Sequence, residues 1–220
     1  MTAPAPDTRP ERTVHVGPER LARWFAGFAE RHGAFTATET ETAVRLDAAD
    51  GATADCAVPF PPLPDGSGSL TDRLVAHAMR ERVLGLVLVR RGGFAAGVFE
   101  GNVAAATRAG SRHVQGRTAA GGWSQQRFAR RRDGQTRRAV EAAADTVAAV
   151  LLPAAGRLDA VVAGGDRLLV DELFSDPRLS RLRSLLTGTL LDVADPSRRV
   201  LLDAWERTRA VRIRVVDPPA

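Results

Sequence analysis

The chain has 220 residues and a mass of 23.5 kDa, enough for one domain of ordinary size with a small module attached. Hydrophobic residues make up 44% and charged residues 26%, values typical of globular proteins that exclude disorder along the whole chain. The formal net charge is +5, and every basic residue counted in it is an arginine. Because this net charge alone indicates no partner, the distribution of the arginines matters more.

Several classes of protein are excluded by what the sequence lacks. No apolar run reaches the roughly 18 residues of a membrane-spanning helix, and residues 1–12 lack the apolar core of a secretory signal. The single cysteine, Cys56, excludes an intramolecular disulfide and a zinc site built from several cysteines. We therefore expect a cytoplasmic protein that does not associate with a membrane.

The N-terminal elements follow from short-range patterns. Residues 1–12, rich in proline and arginine, are expected to form a disordered tail. Over Pro18–His32, apolar residues recur at helical spacing behind a proline and ahead of Gly33, which predicts a helix. Residues 35–58 alternate apolar and polar side chains, which predicts short strands.

A domain boundary is predicted where the composition changes. Residues 61–68, rich in proline, glycine and serine, have the composition of a linker between a small α+β module, 13–60, and a main domain, 69–220. The elements predicted for the main domain are helix 70–80, strands 83–90, 94–99 and 103–109, helix 124–152, strand 158–163, helix 166–174, strand 189–193, helix 196–207 and strand 211–216.

Three antiparallel strands followed by alternating helices and strands predict a mixed sheet with helices packed on it, so the fold class is α+β. The element order βββαβαβαβ is that of ribonuclease-H-like domains. Within it, Gly164-Gly165-Asp166 follows a strand but lacks the lysine and hydroxyl residue of a phosphate-binding loop, so an ordinary strand-to-helix turn is expected.

The arginines are concentrated in one segment. Residues 107–138 contain nine arginines and the single acid Asp133, a local charge of +8, so the rest of the chain carries −3. A local basic segment favours a site that faces phosphates. A solvated helix face explains the same composition equally well, and the charge pattern alone does not decide between the two.

The basic segment also contains a motif. Gly121-Gly122 and Trp123 precede the run Ser124-Gln125-Gln126-Arg127-Phe128-Ala129-Arg130. The segment resembles the catalytic loop of class I peptide release factors of the eukaryotic and archaeal type, in which Gly-Gly-Gln precedes a serine and an Arg-Phe-Ala-Arg run. Here Trp123 stands at the position of the catalytic glutamine. The resulting Gly-x-x-Gln spacing, from Gly122 to Gln125, resembles the Vms-like branch of the release-factor superfamily and its actinobacterial group.

This resemblance extends from about residue 83 to the end of the chain and implies the fold of a release-factor middle domain. It implies a monomeric peptidyl-tRNA hydrolase, without metal or cofactor, that acts on stalled or obstructed ribosomes. Its implied partners are peptidyl-tRNA and the ribosomal RNA of the large subunit. The implied catalytic residues are Gln125, Gly121, Gly122 and Ser124. The implied RNA-binding residues are Arg117, Trp123, Arg127, Arg130, Arg131 and Arg132.

Three alternatives stay open at the level of sequence. Gln126, next to Gln125, is the second candidate for the catalytic glutamine. Trp123 in place of glutamine favours a release-factor-like module that binds ribosomes or RNA but has lost hydrolysis. A metal-dependent nuclease is disfavoured because the first strand of the main domain, 83–88, carries no carboxylate.

Overall fold

The computed structural model describes residues 10–111 and 124–218, and along the helix that begins at Ser124 it describes side chains from Arg137 onward. The chain forms two compact units. The N-terminal unit consists of Met1–Arg80 with Glu206–Ala220, and the central unit consists of Glu81–Trp205. Each unit contains a five-stranded sheet, so the predicted α+β class is confirmed.

The N-terminal unit is built on an antiparallel sheet with the strand order β1-β10-β4-β3-β2. Its elements are β1 (Glu11–Val16), α1 (Pro18–His32), β2 (Phe35–Glu39), β3 (Ala43–Ala48), β4 (Thr53–Ala57), α2 (Leu70–Met79) and β10 (Val211–Val216). The helix predicted from Pro18 to His32 is confirmed at both ends. It ends at Gly33, whose φ of 81° is readily available to glycine.

One helix face of α1 closes the core of this unit. Leu21, Phe25 and Phe28 are buried at i, i+4 and i+7, and Trp24 stacks on Phe28 with ring centroids 5.5 Å apart. The Ser69 hydroxyl and the Asp72 carboxylate form a reciprocal capping box that fixes the start of α2. The side chains of the N-terminal unit therefore pack a core of their own.

The last strand lies in a different sheet from the one predicted. β10 was expected to complete the sheet of the main domain, but it pairs with β1 and β4 in the N-terminal unit. Its buried Val211, Ile213 and Val215 alternate with exposed Arg212 and Arg214, the pattern of a half-buried antiparallel strand. The division of the chain thus differs from a boundary at 61–68, because α2 and β10 both belong to the N-terminal unit.

The central unit has a mixed sheet with the order β7-β6-β5-β8-β9. Its elements are β5 (Val83–Arg90), β6 (Gly93–Glu100), β7 (Val103–Ser111), α3 (Ser124–Leu151), β8 (Ala160–Gly165), α4 (Arg167–Leu173), α5 (Ser180–Arg183), β9 (Leu186–Leu191) and α6 (Arg198–Arg209), which ends in the N-terminal unit. The predicted three-stranded meander is confirmed, and β5, β8 and β9 run parallel.

Helices cover both faces of this sheet. Val140, Ala143, Val147 and Leu151 of α3 join the core on one face. On the other face, Trp205 of α6 stacks on Phe99 of β6 with ring centroids 4.6 Å apart. Because both faces are covered, the central strands β5 and β6 are apolar almost throughout and lack the alternation seen in β10.

The Gly164-Gly165-Asp166 segment is the strand-to-helix turn that was expected. The Asp166 carboxylate accepts hydrogen bonds from the backbone N–H groups of Leu168 and Leu169 and caps α4. The Asp166 backbone N–H donates to the Val89 carbonyl at 2.8 Å, which draws the turn against β5. Gly165 lies at φ +104°, and a Cβ at this position would come within 2.1 Å of the Val89 carbonyl oxygen.

Replacing Gly165 with alanine is expected to lower the free energy of unfolding by about 3 kcal/mol or more, because the new Cβ clashes with backbone atoms that have nowhere to move. Urea unfolding followed by circular dichroism measures this change. Gly188→Ala is the matched control, since Gly188 also lies in this sheet, on β9, with nothing within 4 Å of an added Cβ. The control is expected to change stability by less than about 0.5 kcal/mol. Equal effects of the two substitutions would contradict the close approach at Gly165.

Candidate functional site

The predicted motif follows strand β7 of the central unit and continues into helix α3. β7 ends at Ser111 and α3 begins at Ser124, so residues 112–123 join the edge strand of the sheet to the start of its longest helix. The start of α3 at Ser124 confirms the predicted helix start. The predicted catalytic and RNA-binding side chains lie outside the described residues: Arg117, Gly121, Gly122, Trp123, Ser124, Gln125, Arg127, Arg130, Arg131 and Arg132.

The strand that leads into this segment is held by packing against β6. Phe94 pairs with Gly110, and the ring of Phe94 lies so close that a Cβ on Gly110 would be 2.6 Å from it. Phe94 is buried beneath the end of β7. The last residues of β7 therefore have a fixed backbone position in the sheet, which sets where the 112–123 segment begins.

The helix that follows is anchored by its C-terminal half. Its buried face starts at Val140 among the described side chains and continues to Leu151. At a rise of 1.5 Å per residue, Val140 lies about 24 Å along the helix from Ser124. α3 thus extends from the core of the central unit to the end of the 112–123 segment as one continuous element.

An ion-pair network holds α3 to the segment after α4. The Arg178 guanidinium donates to Asp145 of α3 at 2.8 Å and to Asp176 at 2.7 Å. Its hydrogen bonds to the Asp176 carboxylate hold the pKa of that carboxyl below its usual value. The three residues are separated by up to 33 positions in sequence, and the sequence analysis did not identify them.

The described part of the basic segment carries three exposed arginines. Arg108 on β7 and Arg137 and Arg138 on α3 are exposed, and none of them forms an ion pair with a described residue. Elsewhere many arginines are paired, as Arg157 is with Glu100. Arginines without carboxylate partners keep their full positive charge available to an anionic ligand.

Two other residues in the described part of the chain that could be reactive, a cysteine and a histidine, are buried among the packed elements of the N-terminal unit. Cys56 is buried in the N-terminal unit, and burial raises its pKa to about 12, so it stays a thiol at neutral pH. The Nε2 atom of buried His77 lies 2.7 Å from the Pro59 carbonyl oxygen.

Residues 10–111 and 124–218 contain no group of three potential metal ligands. None of the helices described is long and apolar enough to span a membrane.

Comparison with known families gives one match that covers most of the chain. The model of the Actinobacteria/chloroflexi VLRF1 release factor family matches residues 82–214. This range contains β5 to β9, α3 and the whole 112–123 segment. No curated protein matches the chain.

Two solved structures are among those that match the chain. The crystal structure of an archaeal translation termination factor is 17% identical, with a TM-score of 0.42, over 90% of this chain and 64% of that protein. The Vms1 mitochondrial localization core is 10% identical, with a TM-score of 0.44, over 92% of this chain and 82% of that one. The chain thus spans less than two thirds of the archaeal factor's length.

Proposed function

The chain belongs to the Actinobacteria/chloroflexi VLRF1 release factor family, and from this we propose that it is a peptidyl-tRNA hydrolase that frees nascent peptides on stalled or obstructed ribosomes. The observation that carries the proposal is that the family match, 82–214, includes the Gly-x-x-Gln segment from Gly122 to Gln125. That segment directly precedes and enters α3. The activity belongs in the cytoplasm, where ribosomes and tRNA are found.

The proposed reaction needs no strongly basic or acidic side chain from the protein. Its substrate is the ester between a peptide and the terminal ribose of tRNA, and hydrolysis needs a positioned water and stabilisation of the developing oxyanions. The neutral side chain of Gln125 has both hydrogen-bond donors and an acceptor, so it can orient that water. This chemistry needs no metal or cofactor.

The backbone at the motif has a proposed role of its own. Gly121 and Gly122, without side chains, allow positive φ and let the chain enter a narrow RNA cavity. Ser124 is the first residue of α3, where a hydroxyl can accept from free backbone N–H groups. The partial positive charge of the helix start stabilises negative charge that develops close to it.

The basic residues around the motif are proposed to hold RNA. Arg117, Arg127, Arg130, Arg131 and Arg132 provide guanidinium groups that match phosphate oxygens, and Trp123 provides a ring on which a base can stack. Arg137 and Arg138, which form no ion pair with a described residue, lie further along α3 and extend the same positive charge. Together they would position the tRNA acceptor end and ribosomal RNA.

The test of this function is direct. The purified protein is incubated with large ribosomal subunits that carry a stalled peptidyl-tRNA, and free tRNA is separated from peptidyl-tRNA on a gel. We expect time-dependent appearance of free tRNA that persists in the presence of a metal chelator that leaves the subunits intact. Absence of release while the protein co-sediments with the subunits would contradict the proposed hydrolysis.

A second function is supported by one specific observation. Trp123 occupies the position of the catalytic glutamine in the class I release factors, so a module that binds ribosomes without hydrolysing their peptidyl-tRNA fits the sequence as well. The two functions differ in one result of the release assay. Binding without release supports the module, and release that depends on Gln125 supports the enzyme.

Binding through α3 is expected to depend steeply on salt. The spacing of Arg127, Arg130 and Arg131 predicts a common helix face, so replacing any of them by alanine should weaken ribosome binding. Each lost phosphate contact is expected to reduce the slope of log K against log salt by about 0.7–0.9. Co-sedimentation at several salt concentrations measures the slope.

The matched control for this prediction lies on the same helix. Arg138→Ala removes the same charge about 16 Å further from the start of α3 than Arg127→Ala, at 1.5 Å per residue. We expect the smaller effect at Arg138. A binding constant that is insensitive to salt, or identical losses at Arg127 and Arg138, would show that this helix does not dock on RNA.

A further inference from the structure

Helix α1 of the N-terminal unit carries a stripe of arginines and small or aromatic residues beside its buried face. Arg20, Trp24, Gly27 and Arg31 follow one another at i, i+4, i+7 and i+11, and Arg23 lies next to Trp24 at the edge of the stripe. The buried core positions of α1 are Leu21, Phe25 and Phe28, and Trp24 packs against them partly buried. The arginines of the stripe are exposed and are not part of this core.

This stripe forms one wall of an open cleft of about 550 Å³. His15 and Val16, at the end of β1, line its other side. Among the described strands, β1 is the outermost of its sheet and pairs with β10 alone, so the cleft lies at the edge of this sheet. A cleft of this kind is accessible to an extended chain as well as to a small molecule.

The charge of the cleft is strongly positive. Arg20, Arg23 and Arg31 are exposed and form no ion pair with a described residue, and Glu30 is the only acidic side chain in its lining. The positive surroundings extend to β10 and the end of α6. Burial, with the nearby charges of Arg207 and Arg212, holds the pKa of His15 below its usual value.

An aromatic ring lies among these arginines. Trp24 stacks on Phe28 and meets Phe25 edge-on, which fixes its orientation, and it remains half-buried with part of its surface in the cleft. A fixed ring between guanidinium groups combines a surface for base stacking with donors for backbone phosphates. A chain of acidic residues alone would pair with the arginines but has no planar group to stack on the ring.

We propose that this cleft binds single-stranded RNA, with Arg20, Arg23 and Arg31 on phosphates and Trp24 against a base. The proposal goes beyond the hydrolase function, because it concerns the N-terminal unit and requires no catalysis. In this proposal the N-terminal unit holds the protein on RNA whether or not peptidyl-tRNA is bound at the motif.

The experiment isolates the cleft within the full chain. In all proteins the arginines proposed above to hold RNA are replaced by alanine, so that they cannot mask the result: Arg117, Arg127, Arg130, Arg131, Arg132, Arg137 and Arg138. Binding of a fluorescein-labelled 12-nucleotide single-stranded RNA is followed by fluorescence anisotropy between 50 and 400 mM salt. We expect this background protein to retain RNA binding.

Removing the three cleft arginines should then remove most of the binding. With Arg20, Arg23 and Arg31 replaced by alanine, the salt slope should fall by about 2, because each contact to single-stranded nucleic acid contributes about 0.7. If the two proteins bind RNA equally at 1 M salt, this difference in slope amounts to about a 100-fold loss of affinity at 0.1 M salt. The matched control replaces Arg167, Arg183 and Arg198, three exposed arginines of the central unit that form no ion pair with a described residue. It is expected to bind RNA within about threefold of the background protein.

A cross-link identifies the contact independently of affinity. RNA containing 4-thiouridine is irradiated with the protein, and we expect the label on the tryptic peptide 24–31, which starts at Trp24. Trp24→Leu, checked for an unchanged melting curve, should lose at least about fivefold in affinity. Failure of the background protein to bind RNA would overturn the proposal. So would equal binding by the two triple variants, or polyglutamate competing as well as RNA at equal charge.

Discussion

Replacement of Gln125 by alanine is expected to lower the rate of peptide release by about 10²–10³, the usual effect of removing one positioned hydrogen-bonding group from a reacting centre. The substitution should leave the fold unchanged, since alanine has the highest helix propensity and position 125 is the second residue of α3. Ribosome binding should also be retained, because no charge is removed. Single-turnover release from stalled large subunits measures the rate.

The adjacent glutamine is a matched control for this substitution. Gln126→Ala removes the same functional group one position further along the same helix and is expected to keep release within a few-fold of the unmodified protein. Co-sedimentation with large subunits confirms that both variants still bind. If Gln126→Ala lost release and Gln125→Ala retained it, the catalytic glutamine would be Gln126. Full release by both variants would exclude a glutamine-dependent mechanism.

Elements with a strong local pattern could be predicted from the sequence with their boundaries. α1 has a proline at its start, a glycine at its end and a clear apolar stripe, and its predicted and observed bounds coincide. The start of α3 at Ser124 was predicted for a similar reason, because a serine opens a long run without proline. These features are decided by neighbours within a few turns, so a single sequence contains them.

Pairing between distant strands could not be predicted in the same way. β10 has the alternation of a strand, but nothing in its sequence specifies that its partners are β1 and β4 of the other unit. β1 is not predicted from the sequence, because its apolar alternation is limited to Val14 and Val16 at the end of a polar segment. Register across some 200 residues depends on the packed core rather than on local propensity.

The candidate sites also divide into one that is recognisable from contiguous sequence and others that depend on long-range packing. The Gly-x-x-Gln segment is contiguous, so its residues are recognisable without a structure. Arg20, Arg23 and Arg31 are visible in the sequence beside Trp24, but only the packing of α1 beside the edge strand β1 makes them one side of a cleft. The link from Arg178 to Asp145 joins residues 33 positions apart and has no signal in the sequence.

The second large effect concerns the backbone of the motif. Gly122→Val is expected to reduce peptide release as strongly as Gln125→Ala, because a β-branched residue is excluded from positive φ and widens the tip of the segment. Gly122→Ala should have an intermediate effect, since its single Cβ adds less volume and strain. The release assay on stalled large subunits measures all three variants.

Gly188→Val is the matched control for this prediction. It introduces the same side chain at an exposed position of β9, where an added Cβ has no neighbour within 4 Å. Release and melting temperature should both stay close to those of the unmodified protein. Gly122→Val is expected to leave the melting temperature unchanged while release is lost, which separates a defect of the motif from a defect of the fold. Full release by Gly122→Val would show that the glycines reflect only the composition of the chain, and the catalytic role of the Gly-x-x-Gln spacing would then have to be abandoned.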